Sequence, residues 1–434
     1  MPNVLAPQMP AADRRPPARK QESDGERAKL RLAPARPAFG VLIVVPSLDG
    51  GAADAGAVEL TRILVAAGHR AVVVSRAGRL AADVSAAGGE FVALDIGNNP
   101  LTMLRNAAAI ARLARERRCD VIHALGRAAA WSASVAARRC NVPFVTSWYK
   151  GFRDQNWFKH YYNGVMTRGD RVVAVSEQIA QLIHDRYGTP WQRIAVVPPS
   201  LDHERFDPAR VTRARIEAIR ESWGVKPDTK VILVTGRILR RKGHHVAVRA
   251  ARRLKDMGLR NFLCVFVGED RGRTHYTGEL WDLVLTTGTM DVIRMAAPVV
   301  DMPAAYAAAA AIVSAAIQPE GVQRAILEAQ AMQRPVIVSD LGAGPDVVLS
   351  APTAPESRVT GMRFPSGDDG ALAAAALRLF SMPESERAAI GIRGREWIIG
   401  HFNEAAVAAQ TLRLYGEVID GEPLAPSRLE STAI

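Results

Sequence analysis

The feature that most constrains the fold is an alternation of short β-branched runs with longer amphipathic segments, which begins at Gly40. Strands that alternate with helices in this way form βαβ units with a parallel sheet. The alternation occurs in two successive series, and they meet at the proline-rich joint Pro198-Pro199-Ser200. We therefore predict an α/β protein with two facing, Rossmann-like, doubly wound domains, a cleft between them and helices at the C-terminus.

The periodicity predicts the elements of each series. Predicted strands of the first series cover residues 41–45, 71–75, 91–94, 121–123, 144–147, 171–175 and 194–197. Those of the second cover residues 231–235, 262–267, 292–295, 311–314 and 336–339. Helices are predicted at residues 58–67, 101–117, 128–137, 177–186, 242–255, 279–286 and 323–332, and two long helices over 384–419 are broken at 400–403.

The same pattern predicts the domain boundaries. Residues 1–38 contain many prolines and are expected to form a disordered basic arm, because such a segment buries too little apolar surface to fold. The first domain is predicted over residues 39–200 and the second over 201–400. Residues 401–421 are expected to form a helix that packs back on the first domain, followed by a tail over 422–434.

Composition narrows the class of protein. The chain has 434 residues, of which 48% are hydrophobic and 23% are charged, so it is globular. Three scattered cysteines argue against a disulfide scaffold, and neither a secretory signal nor a membrane-spanning run is present, so a cytoplasmic protein is expected. A net charge of +12 indicates anionic partners, either phosphorylated ligands or a lipid surface, and nucleic acid is not expected as a partner.

The segment Pro319 to Met332 contains two glutamates eight residues apart, Glu320 and Glu328. On a helix starting near Gln323, Glu328 lies on the apolar face, where a carboxylate needs hydroxyl, amide or cationic partners. Glu320 precedes the helix, where backbone amides favour an anion. This arrangement suits a ligand with hydroxyls on both sides of a phosphate, such as a sugar nucleotide. The structural alternative is that Glu320 caps the helix and Glu328 pairs with an arginine.

A basic loop runs from Gly236 to Gly243, between a predicted strand and a predicted helix. Arg237 at the strand end and Lys242 at the helix start can bind one anion together, and a planar guanidinium with a compact ammonium suits a diphosphate. We expect Arg240 and Arg241 to face solvent. The alternative is a solvated run of positive charge.

Two further positions lie at predicted strand ends of the first domain. Gly50 and Gly51 follow the first strand and form either a ligand approach or a simple tight turn; their spacing is not that of a nicotinamide site. His123 ends another strand and is either a ligand contact or a hydrogen-bonded core histidine. The sequence has no metal-ligand spacing and no cofactor motif, so no metal and no cofactor are expected.

Together these segments resemble the retaining GT-B glycosyltransferases of family 4 (group 1), over about residues 40–419. Glu320 and Glu328 match the family's E-x7-E signature, and the loop from Gly236 through Arg237 and Lys242 to Gly243 matches its G-R-x4-K-G element. The resemblance implies that Arg237 and Lys242 hold the donor diphosphate and that Glu328 binds the ribose. It further implies that Glu320, with the amides of Gly321 and Val322, holds the donor sugar.

The chain differs from the family pattern in three places. Tyr149 stands where the family usually has a histidine near the sugar and phosphate, and neighbouring Lys150 is a candidate to supply the charge. Val322-Gln323 stands where the family usually has an aromatic residue followed by glycine, so Gln323 adds a side chain there. The joint reads Pro199-Ser200-Leu201, where an Asn-Gly turn is common in the family. We count Tyr149 among the substrate-binding candidates, with Gly50, Gly51 and His123.

The resulting prediction is a metal-independent, retaining hexosyltransferase-type enzyme that uses a nucleotide-diphosphate sugar and a lipid-linked or glycan acceptor, in lipopolysaccharide or exopolysaccharide assembly. The alternatives are a sugar-nucleotide epimerase of GT-B fold and a non-catalytic nucleotide-sugar-binding relative. The basic amphipathic stretch at residues 101–118 is either an ordinary surface helix or a helix that docks on the inner face of the cytoplasmic membrane, which is anionic.

Overall fold

A computed structural model of the chain describes residues 37–97, 99–152, 156–270, 272 and 274–422. The predicted arm lies outside these residues up to position 36, and the predicted tail lies outside them from position 423. No helix in these ranges is long and apolar enough to cross a membrane.

The first half of the chain forms a parallel sheet of seven strands in the order β3-β2-β1-β4-β5-β6-β7. All of its strands except the edge strand β3 have buried interiors because helices cover both faces. The elements are β1 Gly40–Ser47, α1 Ala52–Ala66, β2 Arg70–Arg76, α2 Ala81–Ala86, β3 Glu90–Ala93, α3 Pro100–Glu116, β4 Val121–Ala124, α4 Arg127–Cys140, β5 Phe144–Trp148, α5 Trp157–Gly164, β6 Arg171–Ala174, α6 Glu177–Tyr187 and β7 Ile194–Val196.

The second half forms a parallel sheet of six strands in the order β10-β9-β8-β11-β12-β13. The elements are α7 Arg213–Ser222, β8 Lys230–Thr235, α8 His244–Asp256, β9 Phe262–Val267, α9 Thr274–Thr286, β10 Ile293–Ala296, α10 Met302–Ala308, β11 Ala311–Ser314, α11 Arg324–Ala331, β12 Val336–Ser339, α12 Gly344–Val347, β13 Gly361–Phe364, α13 Asp369–Ser381, α14 Glu384–His401 and α15 Glu404–Asp420.

The fold agrees with the predicted architecture of two doubly wound Rossmann-like units. In each sheet the strand order reverses at the centre, between β1 and β4 and between β8 and β11. Ligands of such sheets bind at the carboxyl ends of the strands beside this switch point. The strand β13 was not predicted, and it lies at the sheet edge after an irregular segment.

The C-terminal helices connect the two halves. The amide of Leu201 donates to the carbonyl of Phe402 at 3.0 Å, just after α14 ends. The next helix, α15, packs against the first sheet through Leu414, Tyr415 and Val418, which are all buried. The segment between the two sheets, at Leu201, is therefore held against the junction of α14 and α15.

Candidate functional site

The signature segment connects β11 to α11 at the carboxyl edge of the second sheet. Gln323 is the N-cap residue of α11, and its side-chain oxygen accepts a hydrogen bond from the Ser314 hydroxyl at 2.7 Å. The extra side chain at this position is thus turned back onto the end of β11. The backbone before the helix, at Gly321, still lies close to the backbone of Tyr149 in the first half of the chain.

Glu320 lies at the centre of a charged cluster and is only 7% exposed. Its carboxylate accepts from the Arg241 guanidinium and, at 2.5 Å, from the Lys242 ammonium. It does not cap α11, so that structural alternative is wrong. Its carbonyl accepts from the amide of Ala343 at 3.0 Å, which anchors the segment to the loop after β12.

The basic loop has a different local structure from the one predicted. Residues Arg240–Lys242 form a 3-10 turn, and α8 begins only at His244. Gly243 has φ +71°, and a Cβ there would lie 1.7 Å from the Ala315 carbonyl oxygen, so this turn requires glycine. Lys242 therefore lies just before the helix.

The orientation predicted for Arg241 is wrong, because its side chain turns inward to Glu320. Arg240 instead pairs with Glu279 at the surface, with 61% of its side chain exposed. The positive charges of this loop are thus divided between the cleft and the solvent. The sequence carries no signal that distinguishes these two adjacent arginines.

Opposing influences act on the Lys242 ammonium. Burial and the neighbouring guanidiniums of Arg241 and Arg237 lower the pKa of Lys242 to about 7. The Glu320 carboxylate favours the charged form, but it is shared with Arg241. An additional anion at this position would therefore stabilise the protonated ammonium.

Glu328 lies beneath the cluster, on the face of α11 that contacts α10. Its carboxylate accepts from the hydroxyl of Tyr306 at 2.8 Å, and Tyr306 itself is almost fully buried. Burial raises the pKa of Glu328 above its ordinary value. The arginine of the same helix, Arg324, makes its ion pair with Glu59 of α1, and among the described residues no arginine lies within ion-pair distance of Glu328. The charges of Arg324 and Arg205 nevertheless oppose the rise in the pKa of Glu328.

A cavity of about 440 Å³ opens beside this cluster, at the carboxyl ends of β8, β9 and β10. Its lining combines apolar side chains with the carboxylates of Glu269 and Asp270, so the cavity offers both apolar contacts and hydrogen-bond acceptors. It is lined by Ile238, Phe266, Gly268, Glu269, Asp270, Thr277, Met295, Ala296, Ala297 and Pro298.

The glycine turn after β1 uses its amides within the protein. The amides of Gly50 and Gly51 both donate to the carboxylate of Asp54, at 3.0 and 2.8 Å. Gly50 has φ +101°, which explains the glycine at that position. In this conformation the two amides have no hydrogen to offer a ligand, and a role for Gly50 and Gly51 in substrate binding stays a prediction.

His123 is likewise occupied by protein partners. Its Nδ1 lies 2.7 Å from the Tyr415 hydroxyl and its Nε2 lies 2.8 Å from the Ser147 hydroxyl. Burial lowers the pKa of His123 to about 3, so the ring is neutral. This geometry is that of a hydrogen-bonded core histidine, and a ligand contact by His123 stays a prediction.

Tyr149 contributes its backbone, and not its side chain, to the charged cluster. A Cβ on Gly56 would lie 2.0 Å from the Tyr149 hydroxyl, which shows that this ring packs over α1. Burial raises the pKa of the Tyr149 hydroxyl. A Cβ on Gly321 would lie 2.3 Å from the Tyr149 carbonyl oxygen, so glycine is needed where the two halves meet. Val322, the next residue, is partly exposed.

The structure thus brings together Lys242, Glu320 and Gly321, with Glu328 nearby. Arg237 lies close enough to act on the Lys242 ammonium. The sequence did not reveal the Glu59–Arg324 ion pair, in which Glu59 also accepts from the amide of Ser200 in the joint. Among the described residues, no three His, Cys, Asp or Glu side chains form a group that could hold a metal ion.

Family models match both halves of the chain. Residues 53–205 match the model described as Glycosyltransferase Family 4, and residues 229–382 match the model described as Glycosyl transferases group 1. The first range covers most of the seven-stranded unit, and the second covers the basic loop and the glutamate signature.

The relatives by sequence include a D-inositol 3-phosphate glycosyltransferase of Kineococcus radiotolerans, 31% identical over 264 residues. The match spans 59% of this chain and 59% of that relative. Another protein of the same name, from Xylanimonas cellulosilytica, is 28% identical over 69% of this chain and 78% of its own length.

Solved structures share the whole fold. A glycosyltransferase from Rickettsia africae is 27% identical, with a TM-score of 0.80, over 89% of this chain and 100% of that chain. The Anabaena protein HepE in complex with UDP-glucose is 19% identical, with a TM-score of 0.76, over 87% of this chain and 100% of that chain. The chain belongs to the family 4, group 1 glycosyltransferases, and it has their GT-B fold.

Proposed function

We propose that this protein is a retaining, metal-independent glycosyltransferase that moves a sugar from a nucleoside diphosphate to a lipid-linked or glycan acceptor, in lipopolysaccharide or exopolysaccharide assembly. The observation that carries the proposal is the convergence of Arg241 and Lys242 on Glu320 at the edge of the second sheet. A bound diphosphate can replace the carboxylate as the partner of these cations.

In the proposed reaction the bond between the sugar's anomeric carbon and the diphosphate oxygen breaks, and a bond from that carbon to an acceptor hydroxyl oxygen forms on the same face. The hydroxyl proton passes to the departing phosphate oxygen. Arg237, Arg241 and Lys242 stabilise the negative charge that develops on the diphosphate. The departing phosphate also balances the positive charge on the sugar, so no carboxylate nucleophile is required.

The remaining parts of the donor fit the neighbouring residues. The cavity beside Ile238 and Phe266 has room for a nucleoside base. Glu328 can exchange its Tyr306 partner for ribose hydroxyls, and Glu320 with the amides of Gly321 and Val322 can hold the sugar. The UDP-glucose complex of HepE, which has the same fold, makes UDP-sugars the first donors to test.

Donor binding is tested by a thermal-shift screen of UDP-, GDP- and ADP-sugars with a chelator present, because a ligand that binds only the folded state raises its stability. We expect one nucleotide class to raise the melting temperature. Lys242→Met should then weaken binding of that nucleoside diphosphate by about 1.5–3 kcal/mol, the value of a charge-assisted hydrogen bond. The matched control is Arg240→Met in the same loop, which should leave the affinity unchanged.

Turnover separates this proposal from its two alternatives. A product that keeps the donor's anomeric configuration supports a retaining transferase. A free sugar nucleotide of changed configuration would identify an epimerase, and tight binding with no turnover on any acceptor would identify a binding protein. The relatives named as D-inositol 3-phosphate glycosyltransferases make phosphorylated polyols useful acceptors to include.

We also propose peripheral association with an anionic membrane at the cytoplasmic face. Large apolar side chains are exposed on two helices of the first unit: Leu101 (72%) and Leu104 (56%) on α3, and Trp157 (68%) and Phe158 (63%) on α5. Aromatic and aliphatic side chains beside basic residues favour the interfacial region of a bilayer. Such a contact would bring a lipid-linked acceptor close to the first unit.

Vesicle co-sedimentation tests this association. Binding to phosphatidylglycerol vesicles should occur at low salt and fall steeply by 0.5 M salt, because exposed charges are screened. Trp157→Ser should weaken it, whereas Leu285→Ser, at a 57% exposed position on α9 of the second unit, should not. Salt-insensitive binding, or equal effects of the two variants, would contradict the proposed surface.

A further inference from the structure

The first unit presents an oriented cation at the start of α4. The Arg127 guanidinium carbon lies 4.3 Å from the centroid of the Phe152 ring, and its Nη1 donates to the buried Asn163 side chain at 2.8 Å. These contacts hold the guanidinium in one direction. Within the part of the chain that the structure describes, no carboxylate pairs with Arg127.

A second cation, Lys150, lies two residues before Phe152. The Phe152 ring packs on the buried Trp148 with ring centroids 4.8 Å apart, so this loop is anchored to the end of β5. The carbonyl of Tyr149 lies against Gly321, which places Lys150 beside the Glu320 cluster. Lys150 has no carboxylate partner among the described residues either.

The cations of the two halves therefore face one another. Partial burial and the charges of Arg241, Arg127 and Arg237 lower the pKa of Lys150. Glu320, which is beside them, already pairs with Arg241 and Lys242. Like charges held this close are unfavourable unless an anion lies between them, and a planar guanidinium with an ammonium is a good phosphate-binding pair.

We propose that Arg127 and Lys150 bind a phosphate group of the acceptor, on the opposite side of the cleft from the donor diphosphate. This inference rests on the proposed function, and it narrows the acceptor to a phosphorylated compound. The phosphate belongs either to a soluble polyol or sugar phosphate or to a lipid carrier. The donor diphosphate remains bound by Arg237, Arg241 and Lys242 of the second unit.

The test compares Arg127→Met and Lys150→Met in the full-length protein, since methionine keeps the apolar stem and removes the charge. The matched control is Arg112→Met, an exposed arginine on α3 of the same unit. Calorimetry measures the affinity for UDP and, with UDP saturating, for D-inositol 3-phosphate. A second arm uses neutral phosphatidylcholine vesicles with and without a polyprenyl phosphate.

We expect Arg127→Met and Lys150→Met each to lower the affinity for the phosphorylated probe about tenfold and to change the affinity for UDP less than threefold. Binding of the soluble probe alone would identify a free phosphate acceptor, and binding of the polyprenyl vesicles alone would identify a lipid carrier. Loss of UDP affinity as large as in Lys242→Met would assign these cations to the donor and overturn the inference. So would wild-type protein that binds neither phosphorylated probe. Failure of the wild type to bind any nucleotide would instead contradict the proposed function.

Discussion

The carboxyl edges of the two sheets satisfy their polar groups in different ways. At the second sheet, Lys242 and Glu320 bind each other, and Glu328 accepts from a tyrosine hydroxyl, at positions where a ligand can take over each contact. At the first sheet, both ring nitrogens of His123 and the amide of Gly51 are bound to partners within the same half or on α15.

We call these carboxyl edges the first edge and the second edge, after their sheets. The difference suits the second edge to ligand binding and the first edge to holding the fold together. Replacing the internal partner of a buried group costs free energy unless the ligand supplies an equivalent hydrogen bond. The second edge can exchange a carboxylate for a diphosphate, whereas the first edge would have to open its core. In the acceptor site that we propose, specificity would depend on Arg127 and Lys150, which have no carboxylate partner among the described residues.

The largest effect is expected for Glu320→Gln at the second edge. Transfer should fall at least about 100-fold, because the sugar loses a charged partner in the transition state. UDP affinity should stay the same or rise up to about fivefold, because Arg241 and Lys242 no longer share a carboxylate. Steady-state kinetics and calorimetry measure the two quantities.

Glu279→Gln is the control for that experiment, since Glu279 pairs with Arg240 at the surface of the same loop. It should change neither transfer nor affinity. If Glu320→Gln lost UDP affinity and transfer in equal measure, the carboxylate would belong to nucleotide binding and not to the sugar.

At the first edge, Asp54→Ala should destabilise the fold without changing UDP affinity. The amides of Gly50 and Gly51 would lose a charged acceptor near the start of α1, so the free energy of unfolding should fall by about 1.5–3 kcal/mol. Chemical denaturation measures this change. Asp83→Ala, at an exposed position in the first turn of α2, is the control. A normal stability with altered substrate binding would show that the turn is part of the site.

The sequence predicted the fold well because its signals are local. Twelve of the thirteen strands, including all seven of the first sheet, overlap strands predicted from the sequence. The missed strand β13 has four residues, includes Arg363 and is followed by Pro365, so it has no continuous apolar run. In the same way, the glutamate signature and the basic loop were found because each is a short segment.

The parts that could not be predicted depend on contacts between distant segments. His123 and Tyr415 are 292 residues apart, and Glu59 and Arg324 are 265 apart. Both alternatives for His123 were compatible with its place at a strand end. The Tyr415 hydroxyl reaches His123 Nδ1 only because α15 packs on the first sheet.

Tyr415→Phe tests the structural role of His123, and we expect a smaller loss of stability than for Asp54→Ala. It removes only the hydroxyl that contacts His123 Nδ1, so the free energy of unfolding should fall by about 1–2 kcal/mol, the cost of one unsatisfied buried group. UDP affinity should not change. Tyr161→Phe, at a 57% exposed tyrosine, is the control for loss of a hydroxyl. Unchanged stability with weaker acceptor binding would make His123 a ligand contact.

The smallest expected effect is a pH dependence that belongs to the second edge alone. The pKa of Lys242 is lowered to about 7, so the free protein loses this positive charge as the pH rises above 7. A bound diphosphate favours the ammonium, so binding takes up a proton and the affinity falls with rising pH. Between pH 7 and 8.5 the phosphate groups are already ionised, and the affinity for UDP should fall about three- to tenfold.

Calorimetry in two buffers of different ionisation enthalpy tests this linkage, with an expected uptake between zero and one proton. Lys242→Arg should remove the pH dependence and keep most of the affinity, since a guanidinium stays charged throughout this range. Lys242→Met should remove the pH dependence and also most of the affinity. An equal slope in the wild type and in Lys242→Arg would assign the titration to another group, for instance Lys150, whose pKa is also lowered. The proton would then belong to the first edge, and the contrast between the two edges would have to be revised.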